Sequence, residues 1–137
     1  MYCGEGIELK FEGNFKEFYC GLVSVEREFV EFFCVKENKW RFEVFKLLVE
    51  SEKVFSRSSL FKAVNGNNLI DNRGRSMFDV FVSDLIGGGL VVQGEWIVSC
   101  FGKEKPLIKT ESGVKVVKAV LWWNEFVKRE LGKEVWE

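Results

Sequence analysis

Ser76-Met77-Phe78-Asp79-Val80-Phe81-Val82-Ser83-Asp84-Leu85-Ile86-Gly87-Gly88-Gly89-Leu90-Val91-Val92 carries the strongest periodic signal in the chain. Phe78, Phe81, Val82 and Leu85 fall at i, i+3, i+4 and i+7, one face of an α-helix. The three glycines end that helix as a left-handed C-cap does. The apolar run Leu90-Val91-Val92 then reads as a strand. Helix, glycine corner and strand follow one another with no room for a long loop.

Upstream, Phe42, Phe45, Leu48 and Val49 repeat the helical spacing over Arg41 to Ser51. Ser56-Arg57-Ser58-Ser59 supplies an N-cap for a short helix, with Leu60, Phe61 and Val64 turned inward. Asn65-Gly66-Asn67-Asn68 reads as a loop. Downstream, Trp96 to Phe101 reads as a strand, Gly102-Lys103-Glu104-Lys105-Pro106 as a turn, and Leu107-Ile108-Lys109 as the returning strand. A last helix runs from Ser112-Gly113 to Leu131, where Gly132 stops it.

Residues 1–40 have a different texture. Ile7 to Glu12 alternates apolar and charged, with Gly13-Asn14 as a turn. Phe15 to Val25 and Phe29 to Val35 are rich in β-branched and aromatic residues, so a three-strand β-meander is the expectation. A helix stands as the rival for the last piece: Val25, Phe29, Phe32, Phe33, Lys36 and Trp40 keep helical spacing, with Ser24 as cap.

From Arg41 the order is helix, short helix, helix, glycine corner, hairpin, helix. The phrases Asp84-Leu85-Ile86-Gly87-Gly88-Gly89-Leu90-Val91 and Leu107-Ile108-Lys109-Thr110-Glu111-Ser112-Gly113-Val114 carry a likeness. This segment, residues 41–131, resembles the winged helix-turn-helix domains of archaeal and bacterial transcription regulators. In that family a Thr-x-x-Gly phrase after the second wing strand opens the next helix. The expected fold class is therefore α+β: a winged helix-turn-helix over 41–131, preceded by a small β unit over 1–40 that resembles nothing identified.

The resemblance implies a sequence-specific regulator that binds double-stranded DNA, without enzymatic activity. The third helix becomes the recognition helix, whose first turns reach base edges in the major groove. Arg73, Arg75, Ser76, Asp79 and Ser83 are left on it outside the core stripe. Asp79 departs from the pattern, because a carboxylate facing DNA repels phosphate; it accepts from a cytosine amine, or the face binds protein. Ser56, Arg57 and Ser58, with Lys62 behind them, are placed to grip phosphate. Lys103 and Lys105 mark the wing tip. A winged helix that binds protein instead of DNA is the alternative, since fold does not fix function.

Charge fits such a division of labour without demanding it. The 137 residues carry 20 Lys+Arg and 21 Asp+Glu, net −1, which is not the balance of an indiscriminate nucleic-acid binder. Residues 1–40 are net −3 and residues 101–137 net +2, and Lys53 to Arg75 sets five bases against one acid. The chain has no His, one Gln, one Pro and one Thr, and Lys and Glu are abundant. That composition has a thermophile flavour, tempered by seven Asn.

Without His, Ser-His and Cys-His nucleophile pairs are excluded, as is any imidazole zinc site. Cys3, Cys20, Cys34 and Cys100 are too far apart for a zinc ribbon, so neither metal nor cofactor is expected. Buried thiols are the default, with a Cys20–Cys34 disulfide as an open alternative. Carboxylate pairs such as Glu26/Glu28 and Asp79/Asp84 are expected on exposed faces, which argues against acid-base catalysis.

No apolar run approaches the roughly 20 residues that span a bilayer, and no signal peptide is visible. The expectation is a soluble intracellular protein with no membrane partner. The last helix has two apolar sides, one along Val116, Val120, Trp123, Val127 and Leu131, the other including Trp122. One side covers the winged-helix core; the second calls for either the N-terminal sheet or a second subunit, and family precedent favours a homodimer. Phe15, Phe18 and Tyr19 remain candidates to stack single-stranded bases should the N-terminal sheet expose them.

Overall fold

The computed structural model describes residues 15–66, 74–99 and 102–137. They form a mixed α and β structure that divides into two units. Residues 40–114 make one; residues 1–39 together with 115–137 make the other. The last helix, from Lys115 on, groups instead with the N-terminal segment.

The 40–114 unit is built on three helices and a hairpin. After the N-terminal helices α1 (Phe15–Cys20) and α2 (Ser24–Phe33), α3 spans Lys39–Glu50, α4 Arg57–Gly66 and α5 Arg75–Gly87. Phe42, Phe45, Leu48 and Val49 of α3 are buried, as are Leu60, Phe61 and Val64 of α4 and Phe78, Phe81, Val82 and Leu85 of α5. These are the positions that helical spacing marked. α4 begins with a reciprocal cap: the Ser59 N–H donates to Ser56 Oγ at 3.2 Å, and the Ser56 N–H donates to Ser59 Oγ at 2.8 Å. α5 ends on Gly88, and Gly89 takes a φ of +78°, the left-handed conformation that lets the chain turn at once into a strand.

β1 (Val91–Gln93) pairs antiparallel with β4 (Leu107–Lys109), and β2 (Ile97–Ser99) with β3 (Gly102–Glu104). Gln93 lies opposite Leu107 and Ile97 opposite Glu104, so Gly94 to Trp96, three residues, face only Lys105 and Pro106. One hairpin is thus broken by a one-residue excess, which bends and twists the ladder. The single proline is tolerated at this break because it interrupts no ladder bond. Gly94 donates to the Pro106 carbonyl at 2.9 Å, and a Cβ there would sit 2.9 Å from Pro106 Cγ and 2.8 Å from Ile108 Cδ1. Beyond β1, β4 has a second neighbour: Phe55 bridges Leu107, whose N–H donates to the Phe55 carbonyl at 2.7 Å.

The turn expected at Gly102 to Pro106 is not where the chain reverses. Gly102 to Glu104 is strand β3, paired with β2 from Gly102 opposite Ser99 to Glu104 opposite Ile97. Turn-forming composition misled here: Gly102, with a φ of +109°, and Pro106 serve the two ends of β3 and its break. Lys103 and Lys105 therefore lie along the hairpin, not at its tip.

Thr110 joins the hairpin to α6 (Glu111–Leu131). Its Oγ1 accepts the Gly113 N–H at 3.1 Å, an N-cap, and donates to the Gly89 carbonyl at 2.7 Å. Gly113 is required by contact, since a Cβ would collide with the Leu90 carbonyl oxygen.

In the other unit, two strands of the expected meander are helices: α1 (Phe15–Cys20) and α2 (Ser24–Phe33), followed by a 3-10 turn at Lys36–Asn38. The first expected strand, Ile7 to Glu12, lies outside the described residues. The helical rival won because Val30 and Phe33 fall on one buried face, and Glu26, not Ser24, completes the start by accepting the Val23 N–H at 2.9 Å. Glu26 is consequently buried, against the expectation of an exposed acid pair with Glu28.

Phe15 packs on Trp122 and Trp123 of α6, with ring centroids 5.8 and 5.5 Å apart, and Phe18 on Trp122 at 5.6 Å. Phe15 and Tyr19 are buried and Phe18 is half-buried, so none is an open stacking surface. Trp136 Nε1 donates to the Phe33 carbonyl at 2.7 Å and draws the C-terminal residues against α2.

The six residues assigned to a second-subunit seam differ in exposure within the single chain. Val116, Val120 and Val127 are buried, Trp122 and Trp123 are half-buried, and Leu131 alone of the six is exposed. Once the N-terminal segment is helical, its aromatic side supplies the cover that the two tryptophans needed. Cys20 and Cys34 are both thiols, not a disulfide.

Candidate functional site

Most of the polar residues marked by the sequence gather on one side of the 40–114 unit, and many are already engaged with one another. Arg57, the first residue of α4, reaches across to α5. Its Nη1 donates to the Asp79 carbonyl at 3.0 Å and its Nη2 to Ser83 Oγ at 2.9 Å. The planar fork of the guanidinium is what allows both bonds at once. Arg75 Nε lies 3.3 Å from the Asp79 carboxylate, one helical turn away. The Arg75 guanidinium also lies 4.8 Å from the Phe61 ring centroid, a cation–π contact. Asp79 thus faces two arginines of its own chain, which accounts for a carboxylate on the expected DNA-reading helix.

Ser56 is buried and its hydroxyl donates to Glu104 Oε1 at 2.9 Å, tying the start of α4 to β3. Ser58 and Lys62 are exposed on α4, Ser76 on α5 and Lys103 on β3. Lys105 is half-buried, with its Nζ 4.9 Å from the Trp96 ring centroid. Arg73 lies outside the described residues.

Among the described residues these side chains line two recesses. The smaller, of about 200 Å³, is lined by Ser56, Arg57, Ser58, Lys103 and Lys105 with Gln93, Trp96 and Glu104. It therefore unites the two groups that the resemblance assigned to phosphate, the start of the second helix and the wing. Three cations face one carboxylate there, although Arg57 shares its charge with Asp79. The larger, of about 600 Å³, is lined by Ser58, Ser59, Phe61, Lys62, Asn65, Arg75 and Glu104. Ser76 and Ser83 line neither recess; they lie on the exposed side of α5 with Met77, Val80 and Asp84.

Gln93, Trp96 and Glu104 are site residues that sequence reasoning missed. Only Trp96 had a usable signal, a tryptophan that follows Gly94-Glu95 at the start of the expected strand. Among the described residues no group of three or more Cys, Asp or Glu is arranged to hold a metal ion, and no helix is long and apolar enough to cross a membrane. No protein family, curated protein or solved structure matches this chain, so its function is argued from its own geometry.

Proposed function

We propose that the 40–114 unit is a winged-helix module that binds double-stranded DNA and serves a transcription regulator. One observation carries the reading: Ser56, Arg57 and Ser58 converge with Lys103 and Lys105 on one cationic recess. Phosphate contacts of this kind set register on a duplex, while base contacts specify sequence. The Phe55 bridge supports the same reading, because it adds a third strand position between α3 and α4, beside a two-strand wing.

In this mechanism Lys103, Lys105 and Ser58 hold the backbone. Arg57 and Arg75 act mainly inside the protein, fixing α5 against α4. Base reading falls to Ser76, Met77, Val80 and Ser83, with hydroxyls for base-edge hydrogen bonds and apolar groups for thymine methyls. Selection of bound duplexes from a random pool at two salt concentrations tests it, with enrichment of a defined sequence as the expected result.

A second reading, docking of a protein, is favoured by one feature. Met77 and Val80 are 50% and 62% exposed on α5, beside the acidic Asp84. Recovery of no duplex even at low salt favours it over DNA.

A further inference from the structure

We infer that the recess beside Trp96 takes a single unstacked nucleotide, so that the DNA bound by this unit is a duplex with a single-stranded extension. The inference rests on the DNA reading above and narrows its substrate.

Trp96 is 60% exposed, although a ring of that size gains most from burial. It stands at the break of the hairpin, where the Gly94–Pro106 hydrogen bond and the close approach of Gly94 to Pro106 and Ile108 fix the backbone that carries it. Lys105 sits over the ring at 4.9 Å, so the indole is polarised by a cation on one side while most of its surface stays open. An open aromatic ring beside cations is the arrangement that stacks a nucleobase and holds its phosphate. Inside a continuous duplex the base faces are covered by their neighbours, and an indole has no face to stack on. At a strand end or in an extension they are not.

The rest of the lining suits the same ligand. Gln93 brings an amide, donor and acceptor together, into the recess for a base edge. Lys103 and Lys105 supply phosphate charge against Glu104, whose carboxylate already accepts from Ser56. The recess, of about 200 Å³, gives room for one base.

The test is fluorescence anisotropy of the full chain with labelled DNA, as a blunt duplex and as the same duplex with a short single-stranded extension of either polarity. The parent is expected to bind one extended form about tenfold more tightly than the blunt one, in the range that stacking one base provides. Trp96→Ala should bind both forms with the parent's blunt-duplex affinity, and Trp96→Phe should keep most of the preference. Equal binding of blunt and extended DNA by the parent, or an undiminished preference in Trp96→Ala, overturns the inference and leaves duplex binding standing. Absence of binding to any of these DNAs at low salt overturns the DNA reading itself, and the inference with it.

Discussion

Arg57 on α4 holds the backbone of Asp79 on α5, with Nη1 3.0 Å from the carbonyl oxygen and 3.8 Å from the carboxylate. A residue that the sequence assigns to phosphate is thereby a strut between two helices. The carbonyl bond needs the guanidinium but not the Asp79 side chain, so the strut survives changes at the carboxylate. The same geometry makes the angle of α5 depend on a group that lines the cationic recess.

Arg57→Lys should show this. Lysine keeps the charge but presents one point donor instead of a fork, so it cannot reach both Asp79 and Ser83. The expected loss is about 1 kcal/mol, one to two hydrogen bonds to a charged donor, or a fall of roughly 3–5 °C in melting temperature. Asp79→Asn, which spares the carbonyl, should cost less. Thermal melts of the two variants side by side check the order.

Gly113→Ala tests the corner that Thr110 closes. The added methyl meets the Leu90 carbonyl oxygen, a backbone atom that cannot swing away, and Phe45 Cζ at 3.3 Å. Either the Thr110 hydrogen bonds to Gly89 and Leu90 break, or the hairpin shifts from α3. A loss of about 3 kcal/mol or more is expected, at the overpacking end of core substitutions. Denaturant unfolding measures it, and a neutral result removes the close approach as the reason for glycine.

Legibility in the sequence followed the range of each signal. α3, α4 and α5 could be read because their buried residues recur every three to four positions and Ser56 and Gly89 punctuate them locally. α1 and α2 could not, because Phe29-Val30 and Phe32-Phe33 satisfy strand preference equally well, and their long-range partners leave no local pattern: Phe15 of α1 packs on Trp122 and Trp123, and the Phe33 carbonyl of α2 accepts from Trp136, 103 positions on. β3 was read as a turn because Gly102 and Pro106 look like turn residues while each serves a different strand feature. The candidate site was half legible. Residue types suited to phosphate could be named, but the Arg57–Asp79 and Ser56–Glu104 links span 22 and 48 positions and leave no local pattern.

Cys34 offers a reading through pH. Burial pushes its thiol up from 9.0 to about 12, with the nearby Glu31 adding to the rise. A raised folded-state value favours the neutral thiol, so its contribution is complete below pH 9 and is lost as pH climbs toward 12. Stability of the parent should fall more steeply over that window than that of Cys34→Ala, whose other titrating groups are the same. At pH 8, iodoacetamide should modify the exposed Cys20 well before Cys34. Equal labelling rates would refute the burial.

Salt dependence separates the lysines from the arginines. Each phosphate neutralised contributes about −0.9 to the slope of log K against log salt. Lys103→Ala with Lys105→Ala should therefore flatten the slope by close to two such increments and weaken binding at low salt on every sequence. Arg75→Ala should change the slope little, because Asp79 already opposes its charge at 3.3 Å. Anisotropy titrations at several salt concentrations check both, and a large slope change in Arg75→Ala would return that residue to the phosphate contacts.

Trp123→Glu distinguishes cover within the chain from cover by a second subunit. The ring lies 5.5 Å from Phe15 and 5.2 Å from Phe126, centroid to centroid, and both partners belong to the same unit. Glutamate loses those contacts and sets a carboxylate among aromatic rings. Trp123 is only half-buried, so the cost is expected near 2 kcal/mol, below the ~3–5 kcal/mol of a fully buried large-to-small change. Concentration is the deciding variable. Stability that comes from a second subunit follows mass action, so the melting temperature of the parent would rise with protein concentration and the deficit of the variant would change with it. Stability that comes from Phe15 and Phe126 does not depend on concentration. The expected result is a constant fall in melting temperature from low to high micromolar protein, and a deficit that grows with concentration would restore the dimer seam.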